Sequence, residues 1–330
     1  VAAIAPASAR VVVDSAGRRV EVPDEIRKVF AAGPPAAVFV YVLAPQKMVG
    51  WPRAPRPQDL PHLRPEVRNL PELGRLTGRG DTINVERLMA VRPDVVVDFG
   101  TIDDTYRSLA DRIQSQTGIP YLLIDGRFQA TTASLRLFGS LLGVPERGET
   151  LAAEAERIFA DVDRVLASVP ADARPRLYLA RGTDGFETGS RGSINTEILE
   201  RVGGVNVVQG VREAGGIVRV SPERIIGWAP DTIVTIDPVV RRTVLERPEW
   251  RPVPAVAKNR VFLLPDTPFG SIDFPPSINR LIGLPLLTHL FYPEQTRTPL
   301  REEIRRFHTL FYGVEPAAAD LDRLLEGLEN

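Results

Sequence analysis

Residues 83–100, INVERLMAVRPDVVVDFG, and residues 220–237, VSPERIIGWAPDTIVTID, are two copies of one pattern set 137 positions apart. That register pairs Glu86 with Glu223, Arg87 with Arg224, Pro93 with Pro230 and Asp94 with Asp231. Each copy reads as a helix, a Pro-Asp turn and a hydrophobic strand. A chain that carries this unit twice is constrained to two related α/β halves. Its 330 residues suffice for two cores of ordinary size.

The segments around the repeat extend this reading. Short β-like runs at Val11–Asp14 and Arg19–Val22 flank the turn Asp14-Ser15-Ala16-Gly17 and predict a hairpin. The following segments alternate between strand and helix: Val29–Ala32, Ala36–Leu43, Met48–Trp51, Val85–Val91, Val95–Phe99, Tyr106–Thr117 and Tyr121–Ile124. Strands alternating with helices imply a mainly parallel sheet covered on both faces. The Pro- and Arg-rich stretch Pro52–Pro71 reads as a long loop.

Helical spacing then takes over through Leu135, Phe138, Leu141 and Leu142, and resumes through Leu151, Ala155, Ile158, Val162 and Val165. Pro145 fits the first turn of the second of these helices. That helix is predicted at about 24 residues, about 36 Å, a rigid connector between the halves. The pattern restarts at Leu177–Ala180, with strands at Thr232–Ile236 and Val261–Leu264. Helices are expected near Thr196–Val202, at Pro276–Phe291, Leu300–Tyr312 and Ala318–Leu328. The expected architecture is therefore α/β: two Rossmann-like lobes with central, mainly parallel sheets, an N-lobe over 1–143, a connector over 144–169 and a C-lobe over 170–330. The ligand cleft is expected between the lobes, closing by a modest hinge.

Composition excludes several functions. A net charge of -1 gives no electrostatic case for nucleic acid or an anionic membrane. The absence of cysteine removes disulfides, thiolate metal sites and cysteine nucleophiles. There is no G-x-S-x-G, H-E-x-x-H or phosphate-loop motif, and no catalytic set is assigned. Asp103-Asp104 reads as a helix cap and its first turn. The opening Val1–Ala9 contains the A-x-A form Ala7-Ser8-Ala9, the pattern around a signal-peptidase site. It suggests a periplasmic protein whose export signal has been removed.

The opening VVVDSAGRRVEVPDEIRKVFAAGPP, with Asp14, Gly17 and Arg18, resembles the start of class III (cluster A-II) periplasmic binding proteins of ABC importers. The blocks INVERLMAVRPDVVV and VSPERIIGWAPDTIV are similar to that family's two helix–strand signatures. The resemblance spans nearly the whole chain. It implies a non-enzymatic, monomeric carrier without a cofactor, which takes a ferric siderophore, haem, cobalamin or an oxyanion to a permease dimer in the inner membrane. It also implies that Glu86 and Glu223 dock on the permease. The stretch 180–208, the later PFGSIDFPPSINRLIGLPLLTHLFYP and Phe311-Tyr312-Gly313 resemble a narrower subgroup, labelled as iron-complex carriers, some of them similar to molybdate or tungstate carriers.

In open α/β sheets, ligands sit at the carboxyl ends of strands. The candidate contacts are Pro35, Trp51, Arg53, Arg75, Arg79 and Thr101 from the N-lobe. From the C-lobe they are Arg181, Thr188, Arg191, Ser193, Asn195, Arg219, Asp237 and Phe269. Only three of the 41 basic residues are lysine, so a basic site here is an arginine site, suited to carboxylate, catecholate or oxyanion ligands. Gly192, Ser193 and Asn195 also suit an anion held at a helix N-terminus. No metal ligand is assigned, because His62 is the only histidine near the expected cleft. A metal already wrapped in an anionic chelator is the leading expectation, and an oxyanion such as molybdate is the alternative.

Overall fold

The computed structural model describes residues 9–78, 85–211 and 216–328. The chain divides into two compact units. The first holds residues up to Ala155 together with Phe311–Gly313, and the second holds the rest.

The first unit opens with the hairpin β1 (Ala9–Val13) and β2 (Arg19–Pro23), paired antiparallel. Asp14 closes its turn by accepting from the Ala16 and Arg18 amides. Next come β3 (Val29–Ala31), α1 (Pro34–Leu43), α2 (Val85–Val91), β4 (Val95–Gly100), α3 (Asp104–Thr117) and β5 (Tyr121–Asp125). The sheet runs β3-β4-β5, all parallel. Burial on both faces explains the apolar run Val95–Val97 that opens β4, and Asp98 after it is buried too. The expected strand at Met48–Trp51 does not form. Val29–Met48 and Trp51–Glu72 meet only as isolated bridges. Its apolar residues face the core without a continuous ladder. α4 (Thr131–Leu141) precedes α5 (Pro145–Leu166), and Gly139 and Gly148 lie back to back where the two cross.

α5 starts at Pro145 as expected, has 22 residues, and contains the unit boundary between Ala155 and Glu156. The positions the periodicity marked, Leu151, Ala155, Ile158, Val162 and Val165, are all buried, and Gly148, Ala152 and Glu154 join them.

The second unit continues with β6 (Arg176–Leu179), β7 (Glu187–Gly189), α6 (Glu197–Arg201), β8 (Val205–Asn206), β9 (Ile217–Arg219), α7 (Pro222–Trp228), β10 (Thr232–Thr235), α8 (Pro238–Glu246), α9 (Pro254–Ala257) and β11 (Val261–Leu263). The parallel sheet is β11-β10-β6-β8, and β7 and β9 form a separate antiparallel pair. Trp250 is fully buried and stacks on Phe186 at 4.9 Å. α10 (Arg280–Phe291) begins four residues later than expected, because 276–279 belong to a turn. α11 (Leu300–Phe307) passes into a π turn at His308–Tyr312, and α12 (Ala318–Leu325) follows.

The repeat is structural as well as sequential. α2 and α7 both span seven residues at equivalent positions. Each ends in a left-handed residue that is not glycine, Arg92 at φ 50° and Ala229 at φ 48°. Asp94 accepts from the Arg27 and Lys28 amides, and Asp231 accepts from the Arg176 amide. In both units the aspartate thus ties the helix–strand turn to the neighbouring first strand. The strand registers agree too: Val29 faces Val95 as Leu177 faces Thr232.

Candidate functional site

At the carboxyl end of β3, Gly33 caps α1 in an extended conformation, and Pro34 and Pro35 fill the first turn, where missing amides cost nothing. Ala32 O accepts from the amides of Leu76 and Thr77, at 2.7 and 3.1 Å. This fastens residues 74–78, and with them the half-buried Arg75, to the edge of the sheet. A side chain at Gly33 would strike Thr77, so the close approach requires glycine there. Beneath this edge lies Asp98 of β4, buried. Thr77 Oγ1 donates to it at 3.1 Å, and Tyr121 OH at 3.0 Å. Burial pushes its carboxyl up to about 6, against the lowering effect of these donors. Thr101 follows β4 half-buried, and Arg53 is exposed. Arg79 lies outside the described residues.

Trp51 is a core residue. It is 3 % exposed, its Nε1 donates to Val67 O at 2.8 Å, and its ring packs against Tyr41. Its bulk finishes the core beside α1, so the structure corrects its assignment as a ligand contact.

In the second unit, Arg181 follows β6. Its Nε lies 3.0 Å from Oδ2 of Asp273, which is fully buried. Asn195 Nδ2 donates to the other carboxylate oxygen at 2.9 Å, and Ser193 Oγ accepts the Asn195 amide. The Arg181 guanidinium lies over the ring of Phe274, 4.1 Å from its centroid. Phe274 is 50 % exposed and adopts φ 55°, a conformation that costs a non-glycine residue about 1–3 kcal/mol. The surrounding loop enforces it. The Gly270 amide donates to Phe274 O, Asn279 Nδ2 bonds Gly270 O and Pro275 O, and a Cβ at Gly270 would overlap Asp273 O. Arg280, fully buried, donates to Ile194 O and Glu197 and closes the cluster from below. Burial lowers its pKa more than Glu197 raises it. The arrangement therefore holds a largely buried, carboxylate-paired guanidinium against an exposed aromatic ring.

Several other expected contacts have different work. The Arg191 guanidinium donates to Asn206 O, and Arg219 pairs with Asp184. Both serve local acceptors. Asp237 caps α8, accepting from the Val239 and Val240 amides. Asp103 does the same for α3, as expected. Thr188 is buried beside the Tyr178 hydroxyl. The helix N-terminus at the expected anion site offers little on its own. α6 has only five residues, its first turn carries Glu197 and Glu200, and Glu200 itself takes the Gly192 amide. Phe269 is half-buried in the loop after β11. Asp273 and Phe274 were not foreseen. Their sequence signal was a polar residue and an aromatic inside a Gly-Ser-Pro turn after a strand.

The family profile described as "Periplasmic binding protein" matches residues 37–268. The chain belongs to the periplasmic binding protein family. Among relatives of this binding protein is a molybdate-binding protein, MolA of Haemophilus influenzae, 24 % identical and aligned over 92 % of this chain and 91 % of that protein. A solved ABC transporter solute-binding protein of Sulfurospirillum deleyianum is 26 % identical at a TM-score of 0.86, covering 96 % of this chain and 99 % of that one. A periplasmic haem-binding protein, RhuT of Roseiflexus, shares the fold at 21 % identity and a TM-score of 0.61, over 82 % of this chain and all of that one (100 %). As a member of the family, the binding protein takes a small ligand and delivers it to an ABC permease. No helix among its described residues is long and apolar enough to cross a membrane.

Proposed function

We propose that this chain is the monomeric, extracytoplasmic solute-binding subunit of an ABC importer, exported to the periplasm, and that it captures an anionic metal chelate of the ferric-siderophore kind. The observation that carries the reading is Arg181 stacked on the half-exposed ring of Phe274. A guanidinium donates hydrogen bonds to an anionic group of the ligand even when a carboxylate balances its charge, and the ring offers a platform to a planar organic frame. A small hydrated oxyanion has no use for that platform. Asp273 and Asn195 set the position of Arg181 rather than touching ligand. Glu86 and Glu223, both exposed, are the permease-docking carboxylates in this reading. Such charges set orientation and encounter rate more than affinity.

A second reading, a molybdate or tungstate carrier, is favoured by the molybdate-binding relative aligned along nearly the whole chain. Its site would be smaller, built from Arg181, Ser193 and Asn195. Native mass spectrometry with elemental analysis of the protein as purified separates the two. Co-purified iron in an organic chelate supports the first, and molybdenum alone moves the function to the second.

A further inference from the structure

The two copies of the repeat leave the same helix face uncovered. In α2, Glu86, Met89 and Ala90 are exposed, and Leu88 is buried. In α7, the equivalent Glu223, Ile226 and Gly227 are exposed, and Ile225 is buried. The i, i+3, i+4 spacing places each exposed set on one face. Met89 is 49 % exposed and Ile226 37 %. Large apolar side chains this open are scarce among the described residues, yet two of them occupy one repeat position. Internal packing does not explain this, because Leu88 and Ile225 already bury each helix's core face completely.

The neighbouring charges point to an outside partner. Neither Glu86 nor Glu223 forms an ion pair among the described residues, and Glu223 is held below the usual carboxylate range by the Ser221 hydroxyl and its own backbone. Each face therefore offers an uncompensated carboxylate with an aliphatic side chain one turn further on. The complement is a cation next to an apolar hollow, presented twice.

We propose that Met89 and Ile226 are paired apolar contacts of the transporter-facing surface, and that the partner is a membrane permease of two equivalent subunits, each offering a cation to the glutamate and an apolar hollow to the side chain. This rests on the docking reading of Glu86 and Glu223 given above. It adds that the glutamates steer the encounter while Met89 and Ile226 hold it, since apolar burial slows dissociation and salt does not screen it.

The test measures association of the purified full-length protein with its cognate permease in nanodiscs, at low and high salt. Met89→Gln and Ile226→Gln are each expected to weaken binding about tenfold, by the same factor at both salt levels. Glu86→Gln and Glu223→Gln are expected to weaken it mainly at low salt. All four positions are exposed, so thermal unfolding should match the parent and exclude misfolding. If the glutamate variants weaken binding but Met89→Gln and Ile226→Gln do not, this inference fails alone. If only one of Met89 and Ile226 matters, the pairing is overturned. If none of the four matters, the docking reading fails with it.

Discussion

Arg181 Nε sits 3.0 Å from Oδ2 of Asp273, a carboxylate without solvent exposure. Both partners are withdrawn from water, so removing one leaves a buried charge without its counterion. Asp273→Ala is expected to lower the unfolding free energy by about 3 kcal/mol, read from urea denaturation. The double variant Arg181→Met, Asp273→Leu should recover most of that loss, because no uncompensated charge remains. A single variant as stable as the parent would mean that the pair is not what holds this edge together.

Asp98 gives the first unit a defined pH response. Its carboxyl is pushed up to about 6 by burial, above the value it has in the unfolded chain. The folded state therefore holds a proton that the unfolded state has lost across the window from about 4 to about 6. This contribution to stability is fully present below that window and is lost as pH rises through it, on the order of 2–3 kcal/mol. Asp98→Asn should flatten the stability profile there, measured by denaturant unfolding at stepped pH. A profile unchanged by the substitution would assign the pH response to other groups.

Arg92 and Ala229 share a left-handed conformation at the ends of α2 and α7. A side chain at such a position costs about 1 kcal/mol that glycine does not incur. Arg92→Gly and Ala229→Gly should each raise stability by about 0.5–1 kcal/mol, and the gains should add because the sites share no partners. Differential scanning calorimetry reads both. A loss of stability in either variant would show that the side chain contributes more than its conformation costs.

The repeat made much of the fold legible. Pro93-Asp94 and Pro230-Asp231 mark turns that a single sequence reveals, and the apolar runs after them can only be buried parallel strands. Met48–Trp51 misled because an apolar run bordering a core is patterned like a strand, whatever its hydrogen bonding. The candidate site was less readable. Arg181 was found because it directly follows a strand. Asp273 was not, because its partners Arg181 and Asn195 lie far upstream and only the fold joins them. Arg191, Arg219 and Asp237 were chosen for chemistry at strand ends, but carbonyl contacts, local ion pairs and helix caps use the same chemistry at the same places. Phe274 owes its exposure to a loop conformation imposed by Gly270 and Asn279, which no periodicity encodes.

The most direct test of the central claim is isothermal titration of the protein with a ferric tris-catecholate chelate, run in parallel on Phe274→Ala and Arg181→Gln. The account predicts saturable binding by the parent, weakened about tenfold without the ring and more strongly without the guanidinium, while Phe274→Ala stays as stable as the parent. Equal binding by all three proteins, or no chelate binding alongside molybdate binding that Phe274→Ala leaves unchanged, would contradict it.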